Sequence, residues 1–413
     1  MRISTANAYA ASRDVLMQRQ LDLNNQQQQL STNKRVNRAS DDPSAAARAE
    51  RALGAEARAD ASQRAVDASQ TTMTLTESAM GDAVELLQRA RETLVAAGDG
   101  SYGDAERAGL ASQLTALRSQ LLSVANRADG GGVFLFGGQG ASQPPFIDTA
   151  GGVQSVGIAG QTQVASGEAL PLTVDGDAAW MQARRGNGVF TTDAAKVDGA
   201  GVPRVNSGGG WVDGGRVVDP TALTDSPYRI EFSVVGGATS YNVIDQSDGS
   251  TTQSGSFKPG QALQFAGVAV TVSGQPAAGD AFVVTPLAAL PKAGRSISVF
   301  ETLQKAIDDL ATPLRSAAQI AQSNSNNLIG LDAVLGRMQS ARSQVGDTLN
   351  RIDGVTGRLD AQRLASQTEV SNATGLDMVA AISSFQNQQT GYDAALKSYA
   401  MVQKLSLFTY LSA

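Results

Sequence analysis

Residues 378–399 read MVAAISSFQNQQTGYDAALKSY, and their spacing decides the fold predicted for both ends of this 413-residue chain. The apolar side chains recur in alternating steps of four and three, with Gln389 as the one polar member of the row. The row consists of Met378, Ile382, Phe385, Gln389, Tyr392, Leu396 and Tyr399. Such steps place apolar groups on one narrow seam of an α-helix, and another helix buries a narrow seam better than a broad core does.

The N-terminal end has apolar residues at a seven-residue interval, with fewer members than the C-terminal row. Its members are Tyr9, Leu16, Leu23 and Leu30. Two thin seams at opposite ends of one chain predict a terminal helical pair made of residues 1–39 and 376–413. Because Gln residues interrupt both seams, we expect neighbouring subunits to cover them in an assembly. The predicted assembly contacts are Tyr9, Leu16, Leu23, Leu30, Ile382, Phe385, Tyr392, Leu396 and Tyr399.

Heptad spacing continues inward and predicts a helical bundle built from residues 40–140 and 296–375. Ser40-Asp41-Asp42-Pro43 is a helix start, because a carboxylate can cap free N–H groups and Pro fits the first turn. The apolar positions behind it are Val66, Met73, Met80, Leu87, Leu94, Leu110, Leu114, Leu117, Leu121 and Val124. On the returning side they are Phe300, Leu303, Ile307, Leu310, Leu331, Leu335, Met338, Val345, Leu349, Ile352 and Leu359.

The middle of the chain has a different composition. Of 43 Gly, 30 lie between Gly130 and Gly294, and of 12 Pro, 10 lie between Pro144 and Pro291. Both residue types are unfavourable inside helices and useful in turns. The sequence therefore predicts a mainly α fold with an inserted antiparallel β domain at residues 141–295, which has room for two subdomains.

Alternation of polar and apolar residues identifies some strands of that domain. The predicted strands are 229–234, 267–273 and 282–284, and the predicted hairpin turns are 236–237 and 247–249. The apolar run 133–136, between two groups of Gly, predicts a buried strand or hairpin arm. Residues 141–220 are too rich in Gly and too weakly patterned for strands to be assigned.

Composition argues against several functions. With 33 Lys+Arg against 39 Asp+Glu the formal net charge is -6, so a basic surface for nucleic acid is not expected. The chain has neither Cys nor His, which removes the commonest nucleophile, general base and metal ligands. No apolar run approaches the length of a transmembrane helix or of a cleaved secretory signal, so we expect no membrane partner.

Three short motifs could carry chemistry, but a structural interpretation is favoured for each. Ser31-Thr32-Asn33-Lys34 fits the S-x-x-K motif of penicillin-binding enzymes, yet the companion K-T-G and S-D-N motifs are absent from the sequence. Asp41 and Asp42 precede a Pro and a helix, which favours capping over metal binding. Asp245 and Asp248 lack the later Glu of a calcium loop, which favours a β-turn. We therefore predict a protein without catalytic, metal or cofactor site.

Several segments carry a family resemblance. They are 1–5 MRIST, 30–36 LSTNKRV, 40–46 SDDPSAA, 134–138 FLFGG, 145–146 PF, 343–347 SQVGD, 350–353 NRID and 404–408 KLSLF. As a set they resemble the flagellin family, and residues 274–282 are similar to a β segment of flagellar hook-associated proteins. Leu405 and Leu407 join the predicted assembly contacts, because they belong to the ending that matches the family.

The resemblance implies a flagellin-like rod of long helices built from both chain ends. It implies a structural subunit of the bacterial flagellum, a junction adaptor between hook-associated protein 1 and the flagellin filament. The alternative is flagellin, the bulk filament subunit. The implied partners are hook-associated protein 1, flagellin, further copies of the chain in a ring, and a flagellar export chaperone. The implied location is extracellular, reached through the flagellar type III route without a cleaved signal peptide.

Overall fold

The computed structural model describes the backbone of residues 5–139, 142–161, 163–164, 169–197 and 203–411. Side chains are described over residues 10–139, 142–161, 169–195 and 205–401. The chain forms two compact units, residues 1–64 with 354–413 and residues 65–353. The helices are α1 Thr5–Thr32, α2 Pro43–Ala97, α3 Asp104–Ala125, α4 Val299–Ala311, α5 Ala317–Thr374 and α6 Met378–Leu411.

The second unit has a helical core made from the heptad positions of α2. Its members are almost inaccessible to solvent: Val66, Met73, Met80, Leu87 and Leu94 are each 0–1% exposed. Buried residues of the other helices include Leu114, Leu121, Leu303, Leu331, Met338 and Ile352. Spacing near 3.5 residues keeps these side chains on one face of a long helix. Most of the predicted bundle positions are therefore buried, while Leu110, Ile307, Leu349 and Leu359 are half-buried.

An aromatic cluster closes this helical core where the chain leaves α3. The Trp180 ring is fully buried and stacks on Phe300 at 5.9 Å, with an angle of 8° between the planes. Phe136 meets Trp180 edge to face at 5.4 Å, and Phe146 lies 6.2 Å from it. Offset and edge-to-face contacts of this kind stabilise aromatic cores beyond the area that they bury. The cluster joins the segment after α3 to the start of α4.

Seventeen strands lie in the described part of the second unit. They are β1 Phe146–Thr149, β2 Gly152–Ser155, β3 Gln163–Val164, β4 Leu170–Pro171, β5 Ala183–Arg184, β6 Phe190–Ala194, β7 Lys196–Val197, β8 Pro203–Arg204, β9 Trp211–Val212, β10 Arg216–Val217, β11 Tyr228–Val235, β12 Ala238–Asp245, β13 Thr251–Ser256, β14 Ala262–Phe265, β15 Val268–Ser273, β16 Ala281–Pro286 and β17 Ser296–Ile297. Two sheets organise most of the later strands, and all their pairings are antiparallel. One has the order β13-β12-β11-β16-β6, and in the other β15 pairs with β14, β10 and β9.

The apolar faces of these sheets form a second core. Ile230 on β11, Val243 on β12 and Val270 on β15 are each 0% exposed, and Phe232 meets Phe282 edge to face at 5.9 Å. The buried Asp280 carboxylate accepts hydrogen bonds from the backbone N–H groups of Ser207, Gly208 and Ala277, each at 2.8 Å. A buried carboxylate needs such donors, and these three fix the loop that enters β16.

One buried side chain connects this sheet region to α5. Gln322 is 7% exposed, and its amide oxygen accepts a hydrogen bond from the Val212 N–H at 2.8 Å. Its amide nitrogen donates to the Val212 carbonyl at 3.1 Å. The side chain thus pairs with β9 as a neighbouring strand would, and it satisfies both backbone groups of one buried residue.

The predicted fold class is confirmed, with terminal helices and an antiparallel sheet region between them. The run 133–136, predicted as a buried strand or hairpin arm, is the arm of a short hairpin in which Phe134 pairs with Ala128, and it forms no regular strand. Leu135 and Phe136 are buried as expected, but only isolated bridges form there, because the chain turns at once through Gly130 and Gly132, both at positive φ. The division into three parts, 1–39 with 376–413, 40–140 with 296–375, and 141–295, stays a prediction. Within the described residues, no helix combines the length and hydropathy needed to cross a membrane.

Candidate assembly surface

The two terminal helices, α1 and α6, pack against each other in the first unit. The Gln26 amide donates a hydrogen bond to the Ser384 hydroxyl at 3.3 Å. Beside this contact a groove of about 550 Å³ is lined by residues that include Leu16, Arg19, Gly391 and Tyr399. Among the described side chains of α1 none is fully buried, and in α6 only Ala381 is. The pair therefore has a thin interface and almost no core of its own.

The structure divides the predicted row of α6 into two sides. Phe385, Tyr392 and Tyr399 are half-buried, and they form the side of α6 that faces α1. Ile382 and Leu396 remain 45% and 41% exposed. An α-helix has 3.6 residues per turn. Steps of four and three therefore place successive members of the row on alternate sides of the line along which α6 contacts α1. Two predicted residues are thus left facing solvent.

On α1 the predicted residues Leu16, Leu23 and Leu30 are half-buried. Three further apolar residues of α1, which the seven-residue spacing does not select, are exposed: Val15 is 52%, Met17 60% and Leu21 57% accessible. Val379 of α6 is 82% accessible. The step of four between Met17 and Leu21 is the sequence signal that could have identified this second apolar row. Tyr9, Leu405 and Leu407 lie in helical backbone, but their side chains are outside the described residues.

The segment between α1 and α2 joins the helices of the first unit. Lys34 forms an isolated antiparallel bridge with Gly375, and the Arg35 N–H donates to the Thr374 carbonyl at 2.7 Å. The Val36 side chain packs in a small buried cluster with Ala45, Ala49 and Ala373. Small side chains at these positions let α2 and the end of α5 approach closely.

The two carboxylates predicted to cap α2 have different hydrogen-bond partners. Asp42 accepts hydrogen bonds from the Ala45 N–H at 3.0 Å and the Ser44 hydroxyl at 2.9 Å, and these donors, with Arg35, lower its pKa to about 2. Asp41 accepts from the backbone N–H groups of Asn37 and Arg38 at 3.0 and 2.8 Å, and these bonds lower its pKa as well. Asp42 therefore caps α2, because its backbone donor lies in the first turn of the helix. Asp41 instead closes the turn before the helix, because its backbone donors precede it in the chain.

The other two motifs that could carry chemistry make hydrogen bonds within a helix end and a β-turn. The Ser31 hydroxyl donates to the Gln28 carbonyl at 2.9 Å, in an exposed last turn of α1. Asp245 accepts from the Ser247 N–H at 2.8 Å within the β12–β13 turn. Across the described residues, no group of three or more potential metal ligands comes together.

One small polar cavity lies in the second unit, with a volume of about 150 Å³. Its lining includes Asp193, Lys305 and Asn326. Loss of water around the Asp193 carboxyl raises its pKa, while Lys305 opposes this effect less strongly. Lys305 in turn forms an ion pair with Asp309 at 3.1 Å. The cavity therefore holds a mixture of charges that are partly satisfied within the chain.

Two known protein families match the N-terminal end and part of the middle of the chain. Residues 3–141 match the family described as the bacterial flagellin N-terminal helical region. Residues 205–286 match the D2-like domain of flagellar hook-associated protein 1. The second match covers the 274–282 segment, whose resemblance to hook-associated proteins it supports.

Two curated relatives are both named flagellar hook-associated protein 3. The one from Escherichia coli is 24% identical over an alignment covering 99% of each chain. The one from Salmonella typhimurium is 36% identical over 154 residues, which span 37% of this chain and 48% of the relative.

Solved structures agree with these relatives. The flagellar junction protein FlgL from Legionella pneumophila aligns with a TM-score of 0.68 and 25% identity, covering 79% of this chain and 100% of its own. FlgL from Xanthomonas campestris gives 0.67 and 26%, covering 78% and 99%. Over its whole length the chain is therefore similar to flagellar hook-associated protein 3, and residues 3–141 carry the helical region of the flagellin family. Both findings fit a structural role at the junction of the flagellar hook and filament.

Proposed function

We propose that this chain is a non-enzymatic adaptor that binds hook-associated protein 1 on one side and the first flagellin subunits on the other. Several copies form a ring at the junction. The match of residues 3–141 to the flagellin helical region supports a flagellin-like contact. The match of residues 205–286 to a domain of hook-associated protein 1 supports kinship with the hook side of the junction.

The observation that carries the proposal is the apolar surface left open on the terminal helices. Ile382 and Leu396 of α6, with Met17 and Leu21 of α1, are 41–60% exposed although all four are large hydrophobic residues. Several large apolar side chains exposed on one pair of helices indicate a protein contact. Neighbouring subunits would cover these side chains, and burial would contribute about 25 cal/mol for each Å² removed from water.

The half-buried residues have a different role in this proposal. Leu16, Leu23 and Leu30 on α1, with Phe385, Tyr392 and Tyr399 on α6, hold the two helices together and so present the exposed side. Tyr9, Leu405 and Leu407 stay predicted assembly contacts. The assembly residues are thereby separated into those that form the pair and those that meet a partner.

The likeness to hook-associated proteins supports a location in the flagellum and a proposed export route. A hook-associated protein lies in the flagellum. We propose that the chain passes unfolded through the flagellar type III channel, without a cleaved signal, and reaches the extracellular end of the hook. The absence of Cys is consistent with a chain that must remain free of disulfides during passage.

Before export, the apolar side of α6 needs protection. We propose that an export chaperone binds this amphipathic helix by its apolar face. Phe385→Ala with Leu396→Ala should weaken chaperone binding in a pull-down from the producing strain. The melting temperature of the core in the second unit should remain that of the wild type, because neither residue belongs to that core. A lowered melting temperature would mean that these side chains stabilise the free protein instead.

Deletion of the gene tests the adaptor function directly. Electron microscopy of the deletion strain should reveal intact hooks without filaments, and flagellin should accumulate in the medium. Complementation with the full chain should restore filaments. Normal filaments in the deletion strain would contradict the proposal.

The second candidate is flagellin itself, which the match to the flagellin N-terminal region favours. The two functions differ in number of copies. Quantitative mass spectrometry of isolated flagella should find few copies per flagellum for an adaptor. A copy number comparable to the main filament protein would establish the second candidate.

A further inference from the structure

Leu314 is unusually exposed for a large apolar residue. Its side chain is 93% accessible, more than the other exposed large hydrophobic residues of the described chain. It lies in the turn between α4 and α5, at a φ of 60° that is unfavourable for a residue with a Cβ. A strained, solvent-facing leucine of this kind points to a function for the turn.

The turn is held firmly by hydrogen bonds from its neighbours. The Leu314 N–H donates to the Asp104 carboxylate at 3.1 Å, and Arg107 donates to the same carboxylate at 2.9 Å. The Arg315 guanidinium donates to the backbone carbonyls of Asp309 and Gln319 at 2.8 and 2.9 Å. The leucine is therefore presented on a rigid support.

A complementary cavity lies elsewhere in the same unit, on the sheet region. It has a volume of about 100 Å³ and is lined mainly by apolar side chains. They include Leu223, Tyr228, Val268, Val284, Pro286 and Ala288. Because an apolar cavity of about 150 Å³ can hold benzene, this one has room for a single aliphatic side chain.

The surroundings of the two features carry opposite charges. The described tip around Leu314 exposes four carboxylates, and its two arginine side chains, Arg107 and Arg315, are only 11% and 18% exposed. The carboxylates belong to Asp99, Asp104, Glu106 and Asp308. At the cavity, exposed Arg295 donates to the Ala288 carbonyl at 2.8 Å, and exposed Lys292 is three residues away along the chain. Asp225, which also lines the cavity, is the one acidic residue of its described lining.

We propose that Leu314 inserts into the cavity of a second copy of this chain, with the acidic tip set against the basic rim. The inference rests on the proposed ring of copies and names its lateral contact. Because the tip and the cavity are different surfaces of one chain, the contact is heterologous, and repetition of a heterologous contact closes a ring or continues as a helix. The charges orient the two surfaces, and the leucine supplies the apolar contact.

Disulfide trapping tests this contact cleanly, because the chain has no cysteine of its own. A chain carrying Leu314→Cys with Ala288→Cys replaces the wild type in the producing strain, and isolated flagella are treated with a mild oxidant. Non-reducing gels should display a ladder of linked copies. The matched control carries Leu314→Cys with Val235→Cys, and Val235 is 77% exposed at the end of β11. The control should give at most one tenth of the linked product.

Two further measurements keep the outcomes separate. The melting temperature of each purified variant should equal that of the wild type, and dilute purified chains should form no internal disulfide. Flagella that assemble normally but give no ladder would overturn the contact and leave the adaptor function intact. A ladder of equal strength in the control would overturn it too. Failure of the adaptor function would appear instead as normal filaments in the deletion strain.

Discussion

The Arg35 guanidinium donates to the Asp42 carboxylate at 3.0 Å, and its other terminal nitrogen donates to the Ala373 carbonyl, also at 3.0 Å. The carboxylate caps the start of α2, and the carbonyl belongs to the last turn of α5. Both helix ends would otherwise leave polar backbone groups unpaired. The Arg35 side chain therefore joins the start of one helix to the end of another, and Asp42 and Ala373 are 331 positions apart in the chain.

Removing the Asp42 carboxylate should destabilise the protein more at neutral pH than in acid. The folded-state pKa of about 2 is below the ordinary value of 3.8. The stabilisation is therefore fully present above 3.8 and is lost as the pH falls from 3.8 to about 2. Melting curves should reveal a lower melting temperature for Asp42→Ala than for the wild type at neutral pH. The difference should shrink near pH 2.

Asp353→Ala is a matched control for that experiment, because Asp353 is an exposed aspartate in the middle of a helix. Its melting temperature should follow the wild type at both pH values. A difference between Asp42→Ala and the wild type that is the same at neutral pH and near pH 2 would contradict the assigned role of the carboxylate.

Leu87→Ala should lower the free energy of unfolding by about 2–5 kcal/mol, the range for a fully buried leucine. Leu87 is 0% exposed in the helical core of the second unit. Leu53→Ala, on the same helix but 44% exposed, should cost about 1 kcal/mol or less. Urea titrations followed by circular dichroism measure both. Equal losses would mean that the heptad row of α2 does not form the core.

Gln322→Met should cost about 1–3 kcal/mol, because it removes both hydrogen bonds from the buried Val212 backbone while keeping the side-chain volume. Gln344→Met, at an exposed position of α5, is the control and should have little effect. Trp211 neighbours Val212 in β9, so its fluorescence should change in the first variant alone. An unchanged free energy of unfolding would refute the role given to Gln322.

How far the sequence predicts this fold depends on the range of each contact. Spacing along α2 identifies Met73, Met80 and Leu87 correctly, because a helix face is set by residues close in the chain. The two-residue pairing of β17 with β5 joins Ser296 to Arg184, and no local pattern records a partner more than a hundred residues away. Short strands with distant partners are the reason that residues 141–220 could not be assigned.

Prediction of the candidate assembly surface has the same limit, because local spacing does not record which residues a distant helix covers. Spacing identifies both Phe385 and Leu396 as apolar seam positions, but only the packing of α1 decides that the first is half-buried and the second 41% exposed. Leu314 could not be predicted at all. Its exposure follows from a turn conformation in which the Leu314 N–H donates to the Asp104 carboxylate, over a separation of about two hundred residues. Arg107 donates to the same carboxylate.

Limited proteolysis should cut the terminal helices before the rest of the protein. Ordering a residue costs on the order of 1–2 kcal/mol, and the described side chains of the α1–α6 pair include one fully buried residue, Ala381. Trypsin should therefore cleave at Arg13, Arg19 and Lys397 of the purified protein well before it cleaves at Arg89 in α2. Cleavage of all these sites at the same rate would contradict a marginal terminal pair. In assembled flagella the same three sites should be protected.

Ile382→Asp with Leu396→Asp should prevent incorporation into flagella while leaving the free protein as stable as the wild type. Both side chains are exposed, and exposed substitutions change the free energy of unfolding by about 0.5 kcal/mol or less. Placed in an assembly interface, however, two unpaired carboxylates would lose their water without gaining partners. Ser383→Asp with Asn387→Asp adds the same charge at exposed polar positions of α6 and should still support filaments. Swimming assays and immunoblots of isolated flagella compare the two variants. Normal filaments in the first would mean that neighbouring subunits do not cover this side of α6.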